Sequence, residues 1–428
     1  MVDANNDETK STLLDAAMDR LRSFPSTVTI AEISGSFGDM ATLLPVLLAL
    51  GKTGQISVTS SLFFGGLYNI FTGLYYDIPM CVQPMKAIAA TSIESNMSQQ
   101  QITGAGMFVS AVLIFLGVTR LINVVNKYIP LSIVRGIQLG GGLTFIAKGA
   151  HSILKAKLYD FTGDNWTDNF VTAILAFSLV VAFYRTKVNS AVLIISFVGI
   201  IIAVVRLYVH DGHQPAPNTS FPSPIAPTPL EFATGVFMTG IGQIPLSLLD
   251  SVIAVSKLAN DLYPNKSRPV ASVTSVTVSV GFMNLIGGWF GSIPYCHGAG
   301  GLAGQYRFGA RTGTSVIVLG ILKIIIGLVF GNSLVAVFHY IPNTLLGVMI
   351  VVAGLELASC ARDMHSYTPI EEYQDNFVIL LITAGGLIGF GNSGIGFFLG
   401  YLAALVLIFL RRETHMEKGH IPSIVCIQ

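Results

Sequence analysis

The sequence predicts an all-α integral membrane protein of fourteen transmembrane spans, built as two inverted repeats of seven with spans 3 and 10 broken. Three observations predict it. Charged residues are 11% of the 428 and hydrophobic residues 52%, whereas soluble domains carry about 25% charged residues. The ends are also richer in charge than the middle, with eight charged residues in 1–28 and five in 411–428. Stretches of about 20 mostly apolar residues, the length that crosses a bilayer, recur along the chain. Short motifs recur at a nearly constant offset.

The elements follow in order. Residues 1–28 read as a cytosolic segment, a short helix with Leu13, Leu14, Ala17, Met18 and Leu21 on one face. They lack the apolar core of a signal peptide. Clear spans are expected near 56–75, 102–122, 169–184, 188–208, 269–290, 312–331, 376–391 and 393–410. Longer or polar-interrupted ones lie near 29–50, 128–148, 230–258 and 334–356. Two more, 79–97 and 294–306, are apolar but broken by Pro and Gly. Residues 29–208 are the first repeat, 209–229 a Pro-rich loop, 230–410 the second repeat, and 411–428 a cytosolic tail.

The repeat shows in matched motifs. Ile78-Pro-Met-Cys81 and Ile293-Pro-Tyr-Cys296 are 215 apart, Tyr128-Ile-Pro130 and Tyr340-Ile-Pro342 are 212 apart, and Asp39 and Asp250 are 211 apart. Seven spans per half make the repeats inverted. Inverted repeats with helices broken at matching places mark a secondary transporter, and the breaks point to its site. With the N-terminus inside, inside segments collect fifteen basic residues and outside segments five, Lys52, Lys148, Lys155, Lys157 and Arg206. The positive-inside rule favours that orientation. The sequons at Asn96, Asn165 and Asn218 fall outside and that at Asn265 inside, a weaker check.

The same numbers exclude other classes. A net charge of +1 leaves no basic stripe for nucleic acid. Four cysteines make no disulfide framework. Cys81 and Cys296 read as small packing residues, since with His297 they are too few for a metal site. No nucleophile elbow, phosphate loop or zinc-protease motif occurs, so neither an enzyme nor a cofactor is expected.

Broken helices expose backbone groups that lipid cannot satisfy, so they occur where they line a cavity. Pro79 and Pro84 break span 3; Pro294, Gly298, Gly300 and Gly301 break span 10. A half-helix starting after each break would present free N–H groups and roughly half a positive charge. Lys86 adds a full one. Together they suit a dianion such as a tetrahedral oxyanion. Gln83 can donate to it, and His297 either contacts it or packs. The glycines let backbone approach a ligand, or serve helix packing through a small-xxx-small pair, Gly300 and Gly304. Lys86 can also neutralise Asp39 or Glu94, though charge at mid-membrane is functional by default. Asp39 and Asp250 either carry protons or balance charge. Glu32 is peripheral, and Lys323 pairs with a nearby acid.

At these residues the sequence resembles a known family. Gly35-Ser-Phe-Gly-Asp-Met-Ala-Thr42, Gln83-Pro-Met-Lys86, Gln243-Ile-Pro-Leu246 with Ser251-Val-Ile-Ala-Val255, and Cys296-His-Gly-Ala-Gly-Gly-Leu-Ala-Gly-Gln-Tyr-Arg-Phe-Gly309 are similar to the molybdate transporters of plants, algae and fungi, within the sulfate permease superfamily. The likeness runs from about residue 29 to 410. It implies a substrate-carrying core (spans 1–4 and 8–11) and a gate (spans 5–7 and 12–14). Spans 3 and 10 would each be a short strand leading to a half-helix. It also implies a homodimer and movement of core against gate. The 18 residues after 410 hold no regulatory domain of the sulfate-permease kind, which favours the molybdate branch. Asp250 departs from the Asn expected before Ser-Val.

The resemblance thus implies a molybdate importer working by alternating access in the plasma membrane or an internal one such as the vacuole. Its substrate contacts are expected at Gln83, Lys86, Ala87, Ser251, Tyr295, His297, Gly298, Ala299, Gly300 and Gly301, with Asp39 and Asp250 for coupling or charge balance. The alternatives are a sulfate or broad oxyanion permease, a proton-coupled nucleobase permease, and, from another class, an anion channel or a transport-dead sensor.

Overall fold

The computed structural model describes residues 13–122, 129–156, 167–183, 191–211, 221–266, 270–363 and 370–417. The expectations that fall on Lys10, Lys127, Lys157, Arg185, Lys187, Arg268, Lys418, Asn165, Asn218 and residues 212–220 of the Pro-rich loop lie outside them.

Helix α1 (Leu13–Thr27) docks through Arg20, which donates to the Leu74 and Tyr75 carbonyls. Helix α2 (Ile30–Ser36) is capped by the Thr29 hydroxyl and ends in a 3₁₀ turn, Phe37–Asp39, before α3 (Met40–Lys52). The chain bends by 52° there. Glu32 is buried, and its carboxylate accepts the N–H groups of Arg311, Thr312 and Ser315. It therefore satisfies the start of a distant helix.

Next come α4 (Val58–Tyr76), strand β1 (Val82–Pro84), α5 (Lys86–Ser95), α6 (Gln99–Val118), α7 (Leu131–Leu154), α8 (Phe170–Phe183) and α9 (Ala191–Asp211). Helix α10 (Pro229–Leu262) is long and has two π-helical stretches, Val236–Gly240 and Ser247–Ala254. The second follows Pro245, whose missing N–H and bulky ring disturb the i→i−4 ladder. Then follow α11 (Val273–Gly288), β2 (Tyr295–His297), α12 (Ala299–Arg307), α13 (Thr314–Tyr340), α14 (Asn343–Ser359), α15 (Ile370–Phe390) and α16 (Ser393–Glu417).

Every predicted span meets a helix or a strand–helix element, but fewer are long and apolar enough to cross a membrane. Among the described residues seven qualify, or eight if the bent Ile30–Lys52 pair is one span. The remainder are short (α8, α11), less apolar (α4, α7) or half-helices (α5, α12). One boundary shifts. The twelfth stretch begins at Asn343 instead of near 334, because α13 runs unbroken to Tyr340 and Pro342 stops it.

Two helix crossings are built on reciprocal glycines. In α4 against α13, a Cβ on Gly66 would lie 2.5 Å from the Gly320 carbonyl oxygen, and one on Gly320 would lie 2.5 Å from that of Gly66. Gly73 and Gly313 repeat the contact one heptad away. In α7 against α14, Gly142 faces Gly354 and Gly149 faces Gly347 in the same way. Without apolar driving force between helices in lipid, close backbone approach supplies the packing.

Candidate functional site

The two breaks meet at one place. β1 and β2 pair antiparallel, Val82 opposite His297, Gln83 opposite Cys296 and Pro84 opposite Tyr295. The Met85 N–H extends the ladder, donating to the Pro294 carbonyl at 2.8 Å. Helix α5 starts two residues after β1, and α12 two residues after β2. Because the strands are antiparallel, the two helices leave the ribbon at opposite ends, with their N-termini flanking it.

Two asparagines hold this otherwise undersized ribbon. Asn69 on α4 accepts the Val82 N–H at 2.8 Å. Asn284 on α11 accepts the Tyr295 N–H and donates to the Tyr295 carbonyl at 2.6 Å. Their spacing is 215, the offset of the proline motifs. Ser57-Val-Thr-Ser60 and Ser272-Val-Thr-Ser275 share it too, and Ser57 and Ser272 each cap the helix that carries its asparagine. That repeated tetrapeptide was the readable signal for the asparagines.

Strand alternation then sorts the predicted contacts. Gln83 and Cys296 share one face of the ribbon; Tyr295 and His297 point to the other. The Tyr295 hydroxyl donates to the Ser61 carbonyl at 2.6 Å, and His297 Nε2 sits 3.0 Å from Ser279 Oγ. The Tyr295 hydroxyl and His297 Nε2 thus engage α4 and α11, while His297 Nδ1 has no partner among the described residues. The expected substrate contacts at Tyr295 and His297 therefore lie on the face opposite Gln83: a one-residue step along a strand reverses the face.

On the Gln83 face the expected groups gather. Gln83 is 1% exposed, and neither its Oε1 nor its Nε2 has a hydrogen-bond partner among the described residues. Its amide lies directly against Gly298. A Cβ on Gly301 would meet Cys81 and lie 2.9 Å from Asp39 Oδ1. A side chain at 298 or 301 therefore fits only if Gln83, or Cys81 and Asp39, shift away. Gly300 differs, since nothing lies within 4 Å of its missing side chain and it opens on free space. Close packing accounts for Gly304, where a Cβ would lie 2.6 Å from the Gly38 carbonyl oxygen, but not for Gly300.

Lys86 stands on the same side, within electrostatic reach of Asp250, Glu356 and Cys296. Glu94, once a possible partner, pairs with Lys148 at 3.7 Å. Ser251 lies beside Cys296. Lys323 is buried, with Nζ 3.4 Å from the Val82 carbonyl, and Asp39 is the acid nearest to it in effect. Glu356, on α14, is a third carboxylate that sequence reading missed, because no repeat partner marks it.

The two half-helix starts are not alike. Neither N-cap residue, Met85 or Gly298, caps with its side chain. At α5, however, Gln243 Oε1 accepts the Ala87 N–H at 3.1 Å and the Ile88 N–H at 3.3 Å. The expectation of free N–H groups thus fails at α5, where a side chain from α10 takes them; at α12 no side chain does so among the described residues.

With this geometry in view, relatives can be compared. A family described as "Molybdate transporter of MFS superfamily" matches residues 31–145 and 235–357. Molybdate transporter 2 of Arabidopsis thaliana is 36% identical over 423 residues, covering 88% of this chain and 87% of that protein. The chain belongs to the molybdate transporter family. Molybdate transporter 1 of Arabidopsis thaliana is also 36% identical, covering 92% of this chain and 91% of the relative. Molybdate transporter 1 of Chlamydomonas reinhardtii is 29% identical over 89% of the chain and 92% of its own length. Among solved structures, the anion transporter Slc26a9 of mouse, inward-facing, superposes with a TM-score of 0.65 at 14% identity, covering 96% of this chain and 74% of that one. The transmembrane domain of a cyanobacterial bicarbonate transporter, BicA, gives 0.57 at 13%, covering 87% and 96%. These two likenesses concern the fold. This molybdate transporter family member is an integral, multi-pass membrane transporter and not an enzyme.

Proposed function

We propose that this family member carries molybdate, as a dianion, across the membrane by alternating access. The anion sits on the Gln83 face of the ribbon, between the start of α5 at Lys86 and Ala87 and that of α12 at Gly298, Ala299, Gly300 and Gly301, with Ser251 beside it. The observation that carries this is the open space at Gly300, set beside an unpartnered, buried Gln83 amide and the cation of Lys86. A helix N-terminus, backbone N–H groups and an ammonium form an anion site by charge and by donors.

On this reading the fourteen stretches all span, in inverted repeats 29–208 and 230–410. The pairing of α4 with α13 and of α6 with α11 supports it, since exchanging the two halves turns one pair into the other. Spans 1–4 and 8–11 form a core that moves against a gate of spans 5–7 and 12–14, in a homodimer. The test is uptake of labelled molybdate into proteoliposomes, with excess sulfate and uracil as competitors. Saturable uptake blocked by cold molybdate alone is expected. Blockade by uracil, or non-saturating flux at channel rates, would overturn the reading.

Charge balance points to proton coupling. Around the site stand two lysines, Lys86 and Lys323, and three carboxylates, Asp39, Asp250 and Glu356. A dianion added to that set is opposed unless a proton comes with it. Uptake should therefore rise as external pH falls, and Asp250→Asn should flatten that rise. Uptake by both proteins at two external pH values checks this; an equal proportional loss at both removes Asp250 from the proton path.

A further inference from the structure

Gln243 already does to α5 what an oxyanion would do. Its Oε1 holds the Ala87 and Ile88 N–H groups, while its Nε2 donates to Ser247 Oγ at 2.9 Å. The side chain is 1% exposed, so these bonds form away from water. A buried acceptor on a helix start is stable, because it satisfies donors that the helix leaves orphaned. At the other half-helix no such plug is found among the described residues: Gly300 opens on free space and the buried Gln83 amide has no partner among them. One terminus is thus open and its counterpart closed by the protein itself.

The partner on the far side of the amide makes the plug reversible. A serine hydroxyl both donates and accepts, so Ser247 can serve either end of the Gln243 amide. We propose that Gln243 is an amide switch that sets the specificity of the site for fully deprotonated oxyanions. In the empty site its oxygen holds α5. An arriving oxyanion takes the Ala87 and Ile88 N–H groups, and the amide turns about its last torsion. Nε2 then donates to an anion oxygen, and Oε1 accepts from the Ser247 hydroxyl. No buried polar group loses its partner in the exchange. A ligand that offers an N–H or O–H at this point meets two facing donors and is refused. This inference rests on the reading of the site as an oxyanion site.

The test is titration calorimetry on the full chain in lipid nanodiscs, with micromolar molybdate as probe, at pH 7.5 and pH 5. Gln243→Glu gives an acceptor-only, charged plug at pH 7.5. Its affinity should be at least a hundredfold below wild type there. In acid the introduced carboxyl regains an O–H donor, so the deficit relative to wild type should shrink at least tenfold. The charged or titratable groups on the elements packed around Gln243 are Lys86 and Glu94 on α5, Arg135, Lys148 and His151 on α7, and Glu231, Asp250, Lys257 and Asp261 on α10 itself; α6 has none, and those of α16 lie at 411–417. They act in both proteins, so the ratio at each pH is what is read. Equal affinity at pH 7.5, or a deficit unchanged by pH, would overturn the switch and leave the oxyanion site standing. Wild-type protein that binds neither molybdate nor sulfate would overturn the site itself. If Gln243→Glu does not fold, Gln243→Leu decides: it should bind about tenfold more weakly at both pH values, and unchanged affinity overturns the switch.

Discussion

Lys86→Met should lower molybdate affinity ten- to a hundredfold while the protein still folds. Two effects add. The ammonium is the cation at the start of α5, and a charge-assisted hydrogen bond contributes about 1.5–3 kcal/mol. A tenfold change in affinity corresponds to about 1.4 kcal/mol, which sets the range. The same lysine also screens Asp250 and Glu356 from the anion. Removing it leaves two carboxylates facing a dianion. Lys86→Met combined with Asp250→Asn should therefore recover part of the loss, because repulsion falls while the donor stays absent. Binding by calorimetry, with thermal unfolding in detergent as the control for folding, checks both statements. Unchanged affinity in the folded single variant would show that Lys86 serves only to balance its acidic neighbours.

Gly66→Val should prevent recovery of folded protein, and Gly320→Val should do the same. At this crossing a Cβ on either residue would stand 2.5 Å from a backbone carbonyl oxygen of the other helix. The side chains of Ile324 and Ile70 also stand within 2.8 Å, but the carbonyls belong to the backbone and cannot swing aside. Overpacking a well-packed interior costs about 1–3 kcal/mol and occasionally more. Here the cost falls at the upper end, because relieving the clash means separating α4 from α13 along their whole contact, including the Gly73–Gly313 approach. Helix α4 also carries Asn69, which holds β1, so the site would be lost with the crossing. Gly385→Ala is the matched control: nothing lies within 4 Å of its Cβ position, and the helix itself should gain slightly. Elution profile and melting temperature in detergent separate the outcomes. A Gly66→Val protein that melts like Gly385→Ala would show that this crossing does not hold the fold.

What the sequence by itself determined is the class and the places where helices break. Low charge and recurring apolar stretches make a membrane protein without reference to any contact, since a bilayer reads length and composition alone. The prolines at 79, 84 and 294 and the glycines at 298–301 mark the broken helices, because those residue types restrict or free the backbone locally. Such signals lie within a few residues of one another and need no fold to be legible. The tertiary structure decided which side of the ribbon each neighbour faces. His297 and Tyr295 looked like ligands by proximity in sequence, yet a period of two turns them towards Ser279 and Ser61, and leaves Gln83 and Cys296 on the open side. It also decided which helix start a side chain occupies. Gln243 is about 155 residues from the N–H groups it occupies, and Glu356 reaches Lys86 from a different helix with no motif to announce it. Hydrogen bonds and charges act through space at a few ångströms, so partners that distant along the chain become neighbours only when the helices pack.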